Sequence, residues 1–343
     1  MSEMAIINSR QYFIDTTTEL VGIKSGLAIA DSAVIDLLST SESIECWWRG
    51  DSSEGLRLHA EDLEFAHTWL LFCIGATPDP RCTVQLVGDY CKQTEVPIIW
   101  KDIYGIEDED EESNMQLDSD FPPQLQRMMF LRTVLSDFCL NKIELPDSLN
   151  SLPGFGQLVE QYRRRNIFDN NIPEGRAWDG LVQLSDLFNC EDSPKNCESY
   201  LDQRFIDYLN AQSGDISKMH WRQFERLCAE YFRRHGYTVK LGPGRNDGGK
   251  DVVATKDGKV VGPDLVYVQC KRLNHDYEVD IDTVKAFWTT MNDDYATRGL
   301  IATTSRLAAG AKKYCNARKY RLSAVESGQI RSWIRDLAKS SVA

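Results

Sequence analysis

The stretch DLVYVQCKRL, Asp264 to Leu273, constrains the fold more than any other part of the chain. Its first half is apolar and β-branched enough for a buried strand. It then places Gln269 and Lys271 two residues apart, one repeat of the strand alternation, so both point to one face while Val266 and Val268 point to the other. A strand with apolar residues on one face and functional polar groups at its end needs partners on both sides. The neighbouring sequence supplies them. Ser217 caps a helix over KMHWRQFERLCAEYFRRHG, in which Trp221, Phe224, Leu227, Cys228, Tyr231 and Phe232 recur at helical spacing and Gly236 closes the helix. The strand YTVKL, the glycine-rich loop GPGRNDGGK, the strand DVVAT and the turn KDGK lead into the opening stretch. A helix from Val279 to Ala296, the strand LIATTS, a helix over AAGAKKYCNA, the strand YRLSAV and a last amphipathic helix to Leu337 follow. The expected fold class is therefore α/β, a mixed sheet flanked by helices.

Upstream, residues 1–104 alternate short apolar runs with a helix near Ala60 to Ile74, a pattern expected of a small α/β or α+β module. CWWRG reads as a strand with its two tryptophans on opposite faces, and Arg163 to Arg165 as a solvated helix face. Residues 105–123, GIEDEDEESNMQLDSDFPP, are a block of like charge closed by a proline pair, expected to be a linker or surface loop. Residues 124–212 carry helical patterns, and residues 213–343 form the C-terminal domain described above.

Charge divides the chain in the same way. From Asp215 onward there are 23 Lys and Arg against 15 Asp and Glu, a net of +8, which leaves −21 for residues 1–214. A basic domain suits a polyanion and an acidic remainder does not. The ten cysteines include no Cys-x-x-Cys pair, which is expected of reduced thiols in a cytoplasmic protein. The N-terminus lacks the basic-then-apolar order of a signal peptide, and the longest apolar run, WLLFCIGA, is too short to span a bilayer.

Four residues of the basic domain form a chemical constellation. Asp251 opens a strand directly after the glycine-rich loop, Gln269 and Lys271 share a face of the next strand, and Glu225 lies on the preceding helix. At about 100° per residue Glu225 projects about 20° from Phe232 and flanks the buried face, whereas Glu230 points nearly opposite and is expected in solvent. A carboxylate and an amide oxygen suit Mg²⁺, which takes hard oxygen ligands and keeps several waters. The ion acidifies an attacking water and neutralises charge on a phosphodiester, and an adjacent lysine orients or deprotonates that water.

The blocks WRQFERLCAEYFRRHGYTV, NDGGKDVVA, VYVQCKR and GLIATTSRLAAGAKK occur in order and span most of this domain. Residues 217–339 thereby resemble the catalytic domain of the Mrr-like restriction endonucleases, in the PD-(D/E)xK nuclease superfamily. The resemblance implies a restriction-endonuclease-like αβββαβ core and Mg²⁺-dependent endonuclease activity on DNA, with Mn²⁺ able to substitute. It implies Asp251 as metal ligand, Gln269 in the position usually held by Glu or Asp, Lys271 as the catalytic lysine and Glu225 as the helix acid. An amide at 269 is a weaker ligand than a carboxylate, so metal affinity is expected to be lower unless Glu225 completes the shell. Asp247 serves either turn chemistry or the metal shell. Thr303, Thr304 and Ser305 serve either as a helix cap or as a phosphate site. Lys250, Arg272, Ser305, Lys312 and Lys313 are the expected DNA contacts. His220 and His275 have no partner at ligand spacing. The expected activity is restriction or anti-phage defence, with the N-terminal region sensing, regulating or assembling. Expected partners are DNA, a second copy in a homodimer or higher oligomer, and a defence-system protein, with no membrane. A DNA-binding scaffold without chemistry, or a nuclease acting on RNA or branched DNA, is the alternative.

Overall fold

The computed structural model describes residues 5–105, 121–168, 180–189, 199–244, 248–258 and 262–339. Most of the acidic block at 105–123, and Asp247, lie outside them. The chain divides into two compact units, residues 1–72 with 77–181, and residues 73–76 with 182–343. Among the described residues no helix is long and apolar enough to cross a membrane.

The first unit is mainly helical. Ala5–Ser9 and Gly55–His59 pair antiparallel, and helices Thr83–Gln93, Pro123–Cys139 and Phe155–Arg165 bury a core that includes Val87, Phe130, Leu131, Val134, Leu135 and Phe155. Two sequence expectations fail here. Glu45–Trp48 is one helical turn, because Glu45 N and Trp47 N donate to Ser41 and Ile44 carbonyls within the segment, so Trp48 is buried and Trp47 half-buried on a helix and not on a strand. Arg165 is fully buried and not solvated. Its guanidinium donates to the carbonyls of Gln161 and Asp79 and lies 3.5 Å from the Asp79 carboxylate.

The second unit carries the sheet. Its elements are α1 (Gln203–Ala211), α2 (Trp221–Arg234), β1 (Thr238–Leu241), β2 (Val252–Lys256), β3 (Asp264–Lys271), α3 (Ile281–Asp293), β4 (Arg298–Thr303), α4 (Ala309–Asn316), β5 (Leu322–Val325) and α5 (Ser327–Lys339). The five strands lie in the order β5-β4-β3-β2-β1. β1–β2 and β2–β3 are antiparallel, and β3–β4 and β4–β5 are parallel, so the mixed α/β sheet expected from the sequence is present. Tyr267 of β3, Ile301 of β4 and Leu322 of β5 pack with Val284, Phe287 and Met291 of α3 and Ala311 and Cys315 of α4. Alternation turns Val266 and Val268 to the other face, where α2 packs across β1, β2 and β3.

Helix α2 begins later than Ser217. His220 is its N-cap, with Nδ1 accepting from Arg222 N, while Ser213–Ser217 form a 3-10 turn. Gly236, at φ +80, ends the helix, the left-handed conformation that glycine adopts without a Cβ penalty.

Glu230 overturns a further expectation. It is 0% exposed and not in solvent. Its carboxylate takes Arg233 Nη2 at 2.6 Å, Arg234 Nε at 2.7 Å and the backbone N of Tyr200 at 3.0 Å, and Arg234 also reaches Gln203 Oε1 on α1 and Leu337 O on α5. The outer face of α2 is covered because residues 199–211, upstream of the pattern that defined the domain, fold onto it together with α5. Burial alone would raise the Glu230 carboxyl, but the hydrogen bonds from Arg233, Arg234 and Tyr200 outweigh it and leave it below its usual value.

Candidate active site at the end of strand β3

The C-terminal end of β3 is where loop, sheet and helix converge. Register pairs Val252 of β2 with Val268 of β3, so Asp251 stands one step further, level with Gln269. Its Oδ2 accepts the backbone N–H of Cys270 at 2.6 Å, and Gly242 N donates to its carbonyl at 2.8 Å. The carboxylate is thus fixed by the backbone of the strand that carries Gln269 and Lys271.

Gln269 is 8% exposed, and its Oε1 is buried without a hydrogen-bond partner. Such an atom is costly to leave unmatched, and it marks a place where an electron-poor ligand is wanted. Gly249, just before Lys250 and Asp251, lies against the same amide. Gly249 adopts φ +81, and a Cβ there would stand 2.5 Å from Gln269 Nε2. A Gly249→Ala protein is therefore expected to push the amide off its position and to strain the backbone by roughly 1 kcal/mol. The thermal unfolding midpoint should fall by a few degrees, and an unchanged midpoint would show that the loop and the amide yield to the Cβ without cost.

Lys271 is half-buried. It pairs with Thr303 of β4, whose hydroxyl donates to the Lys271 carbonyl at 2.8 Å. Glu225 of α2 is 4% exposed and held by Arg222 Nη1 at 2.6 Å. It approaches the strand end from the α2 side of the sheet, the side to which Cys270 points. Burial above all, then contact with Cys228 of α2 and the negative charges of Asp251 and Glu225, hold the Cys270 thiol well above its usual range. The structure thus brings Asp251 to Gln269 and Cys270, with Glu225 within electrostatic reach of the same residue.

Asp251 and Gln269, level with each other on β2 and β3, present hard oxygens that suit a divalent cation such as Mg²⁺, and the unmatched Oε1 supports that fit, while Glu225 stands at the strand end on the α2 side of the sheet. Among the described residues no group of three or more His, Cys, Asp and Glu could hold a metal ion.

The expected DNA contacts are placed variously. Lys250 Nζ pairs with Asp294 at 2.7 Å and lies 5.7 Å from the centre of the Tyr267 ring. Arg272 is half-buried, with Nη1 3.4 Å from Ser217 O. Lys312 pairs with Glu326 at 3.0 Å, and Lys313 is exposed. Ser305 is 3% exposed, and its hydroxyl donates to the Tyr277 carbonyl. Thr303, Thr304 and Ser305 act as a row of pins. Their hydroxyls donate to the carbonyls of Lys271, Leu273 and Tyr277, and Thr304 Oγ1 also accepts Leu273 N. That row fixes the loop leaving β3. Sequence reasoning missed the pins and the Cys270 amide, since neither leaves a periodic pattern. The Arg222–Glu225 pair was available from its i,i+3 spacing.

Residues 216–334, roughly a third of the chain, match the Mrr catalytic-domain family model, described as a restriction endonuclease. The second unit therefore carries a restriction endonuclease domain of the Mrr type. An uncharacterized protein of Sinorhizobium fredii, y4cE, is 31% identical over 106 residues, covering 30% of this chain and 26% of the relative, so the match spans about a quarter of that protein's length. Among solved structures, the MspJI restriction endonuclease in complex with a 27-mer oligonucleotide aligns with a TM-score of 0.31 at 15% identity, over 55% of this chain and 49% of that one. The restriction endonuclease FokI aligns with a TM-score of 0.32 at 10% identity, over 98% of this chain and 68% of that one.

Proposed function

We propose that the protein is a DNA endonuclease of restriction or anti-phage type, dependent on Mg²⁺ or Mn²⁺ and hydrolysing phosphodiester bonds at the end of β3. The observation that carries this reading is the restriction endonuclease family match over the segment that holds Asp251, Gln269 and Lys271. Asp251 and Gln269, with Glu225, would hold the cation, which when bound supplies an acidified water and positive charge at the phosphate. The chain's own groups do the rest. Cys270 N–H keeps the Asp251 carboxylate in place, and Arg222 does the same for Glu225. Lys271 orients the attacking water, takes or stabilises its proton and offsets charge on the phosphate. Lys250, Arg272, Lys312 and Lys313 contribute positive charge along the DNA backbone. The acidic residues 1–214 are assigned to sensing, regulation or assembly with a second copy or a defence partner, in a cytoplasmic protein.

The test is a titration of divalent metal with purified full-length protein on unmodified and base-modified plasmid, with EDTA as control. Nicking or linearisation that rises with Mg²⁺ and disappears in EDTA is expected. No cleavage of any plasmid at millimolar Mg²⁺ or Mn²⁺ sinks the endonuclease reading. The neutral ligand at 269 favours a second reading in that event, a DNA-binding scaffold whose metal affinity is too low for chemistry.

A further inference from the structure

The turn joining α4 to β5 carries a second surface, remote from the end of β3. Arg318 lies with its guanidinium carbon 3.6 Å from the centre of the Tyr314 ring and 5.3 Å from that of Trp288, and Arg321 lies 5.4 Å from the same Trp288 ring. Between them, Lys319 Nζ lies 5.3 Å from the ring of Tyr320, which is 84% exposed. Three cations and an exposed aromatic ring therefore occupy four consecutive positions, two of the cations resting on aromatic faces from α3 and α4.

The location follows from the sheet register. Leu322 pairs with Gly299 and Tyr267 with Gly299, whereas Lys271 pairs with Thr303. Arg321 is thus level with the beginning of β3, five residues from Lys271, or roughly 16 Å at about 3.3 Å per residue. The turn belongs to the opposite end of the sheet from the candidate active site.

Among the described residues none of Arg318, Lys319 and Arg321 is in an ion pair. Two acids at this end have other partners: Asp264 takes Thr297 Oγ1 and lies 3.6 Å from Arg298, and Asp294 takes Lys250. Each guanidinium has five N–H donors, and the described hydrogen bonds use one of Arg318, to Tyr314 O, and one of Arg321, to Ala296 O. Stacking on rings fixes the guanidinium planes while leaving donors for an oxyanion, and it lowers the entropy lost when one binds.

We propose that Arg318, Lys319, Tyr320 and Arg321 form a nucleic-acid-holding surface that grips DNA flanking the cut position, the cations on phosphates and Tyr320 against a base or sugar. The inference rests on the endonuclease reading and adds to it a surface outside the chemistry. An acidic polypeptide would satisfy the charges but not the exposed ring, which an unpaired base suits.

The test uses full-length protein, with Lys319→Gln and Tyr320→Ala, two exposed positions whose side chains make no hydrogen bond among the described residues. Binding of end-labelled DNA, duplex with a single-stranded tail, is followed by fluorescence anisotropy in EDTA over a range of salt. Lys319→Gln is expected to reduce the slope of log affinity against log salt by about one. Tyr320→Ala is expected to weaken binding of tailed DNA about fivefold or more. Both should keep the parent's unfolding midpoint. Parent-like affinity and slope in both variants overturn the surface while leaving the endonuclease reading intact if the parent cuts plasmid in Mg²⁺. A parent that neither binds nor cuts DNA removes both. Tighter binding of polyglutamate than of DNA overturns the surface as a nucleic-acid site.

Discussion

Asp251→Ala and Lys271→Ala are each expected to lower the rate of plasmid nicking in Mg²⁺ by about 10² to 10⁴-fold, the range associated with removing one positioned acid, base or charge-stabilising group. The two losses have different origins. At 251 the alanine removes both the charge and the acceptor that ties the Cys270 amide, so part of the effect is geometric. Asp251→Asn keeps an oxygen for that amide and removes the charge, and it should remain as inactive as the alanine if the carboxylate serves the phosphodiester chemistry. At 271 the strand stays anchored, because the pin from Thr303 reaches the backbone carbonyl and not the side chain. Lys271→Ala should therefore fold normally and bind DNA in EDTA within a few-fold of the parent. Wild-type nicking in both alanine variants would mean that the chemistry lies elsewhere.

Glu230→Ala is expected to have the largest effect on stability, about 3 kcal/mol, since it leaves Arg233 and Arg234 facing each other in a covered site without their carboxylate and leaves Tyr200 N unmatched. The partial exposure of Arg233 keeps the figure at the lower end of what breaking a buried pair costs. A urea midpoint indistinguishable from the parent's would refute it. The same carboxyl ties stability to pH. Its folded value lies below the ordinary 4.5, so its contribution is fully present above about pH 4.5 and disappears as the pH falls through the folded value. Glu230→Gln should accordingly lose less stability between pH 6 and pH 3 than the parent does, measured as the shift of the thermal midpoint.

The order of elements in the second unit was legible because each strand and helix there declares its own period, from the face of α2 to the alternation in β3. Asp251, Gln269 and Lys271 were legible for a related reason, since they sit where a period stops and a polar residue begins. What escaped was set by distant cover. Nothing around Glu230 announces that residues 199–211 will fold over it, and a helical wheel drawn from α2 alone puts it in water. Arg165 escaped in the same way, its counter-charge Asp79 being far back in the sequence. The tryptophans at 47 and 48 were misread because their β propensity was outweighed by turn hydrogen bonds among residues 41–47. The pins at 303–305 escaped because a hydroxyl's partner depends on where a parallel strand lands.

The unmatched amide oxygen of Gln269 has a consequence for how the folded state is populated. A buried acceptor without a donor costs the native state roughly 1–3 kcal/mol that a leucine or methionine of similar shape would not. Whatever satisfies that oxygen, a cation or a water brought by substrate, recovers part of the cost, and by mass action it raises the melting temperature as its concentration rises. A melting temperature that rises with added Mg²⁺ would then serve as a gauge of occupancy at the end of β3.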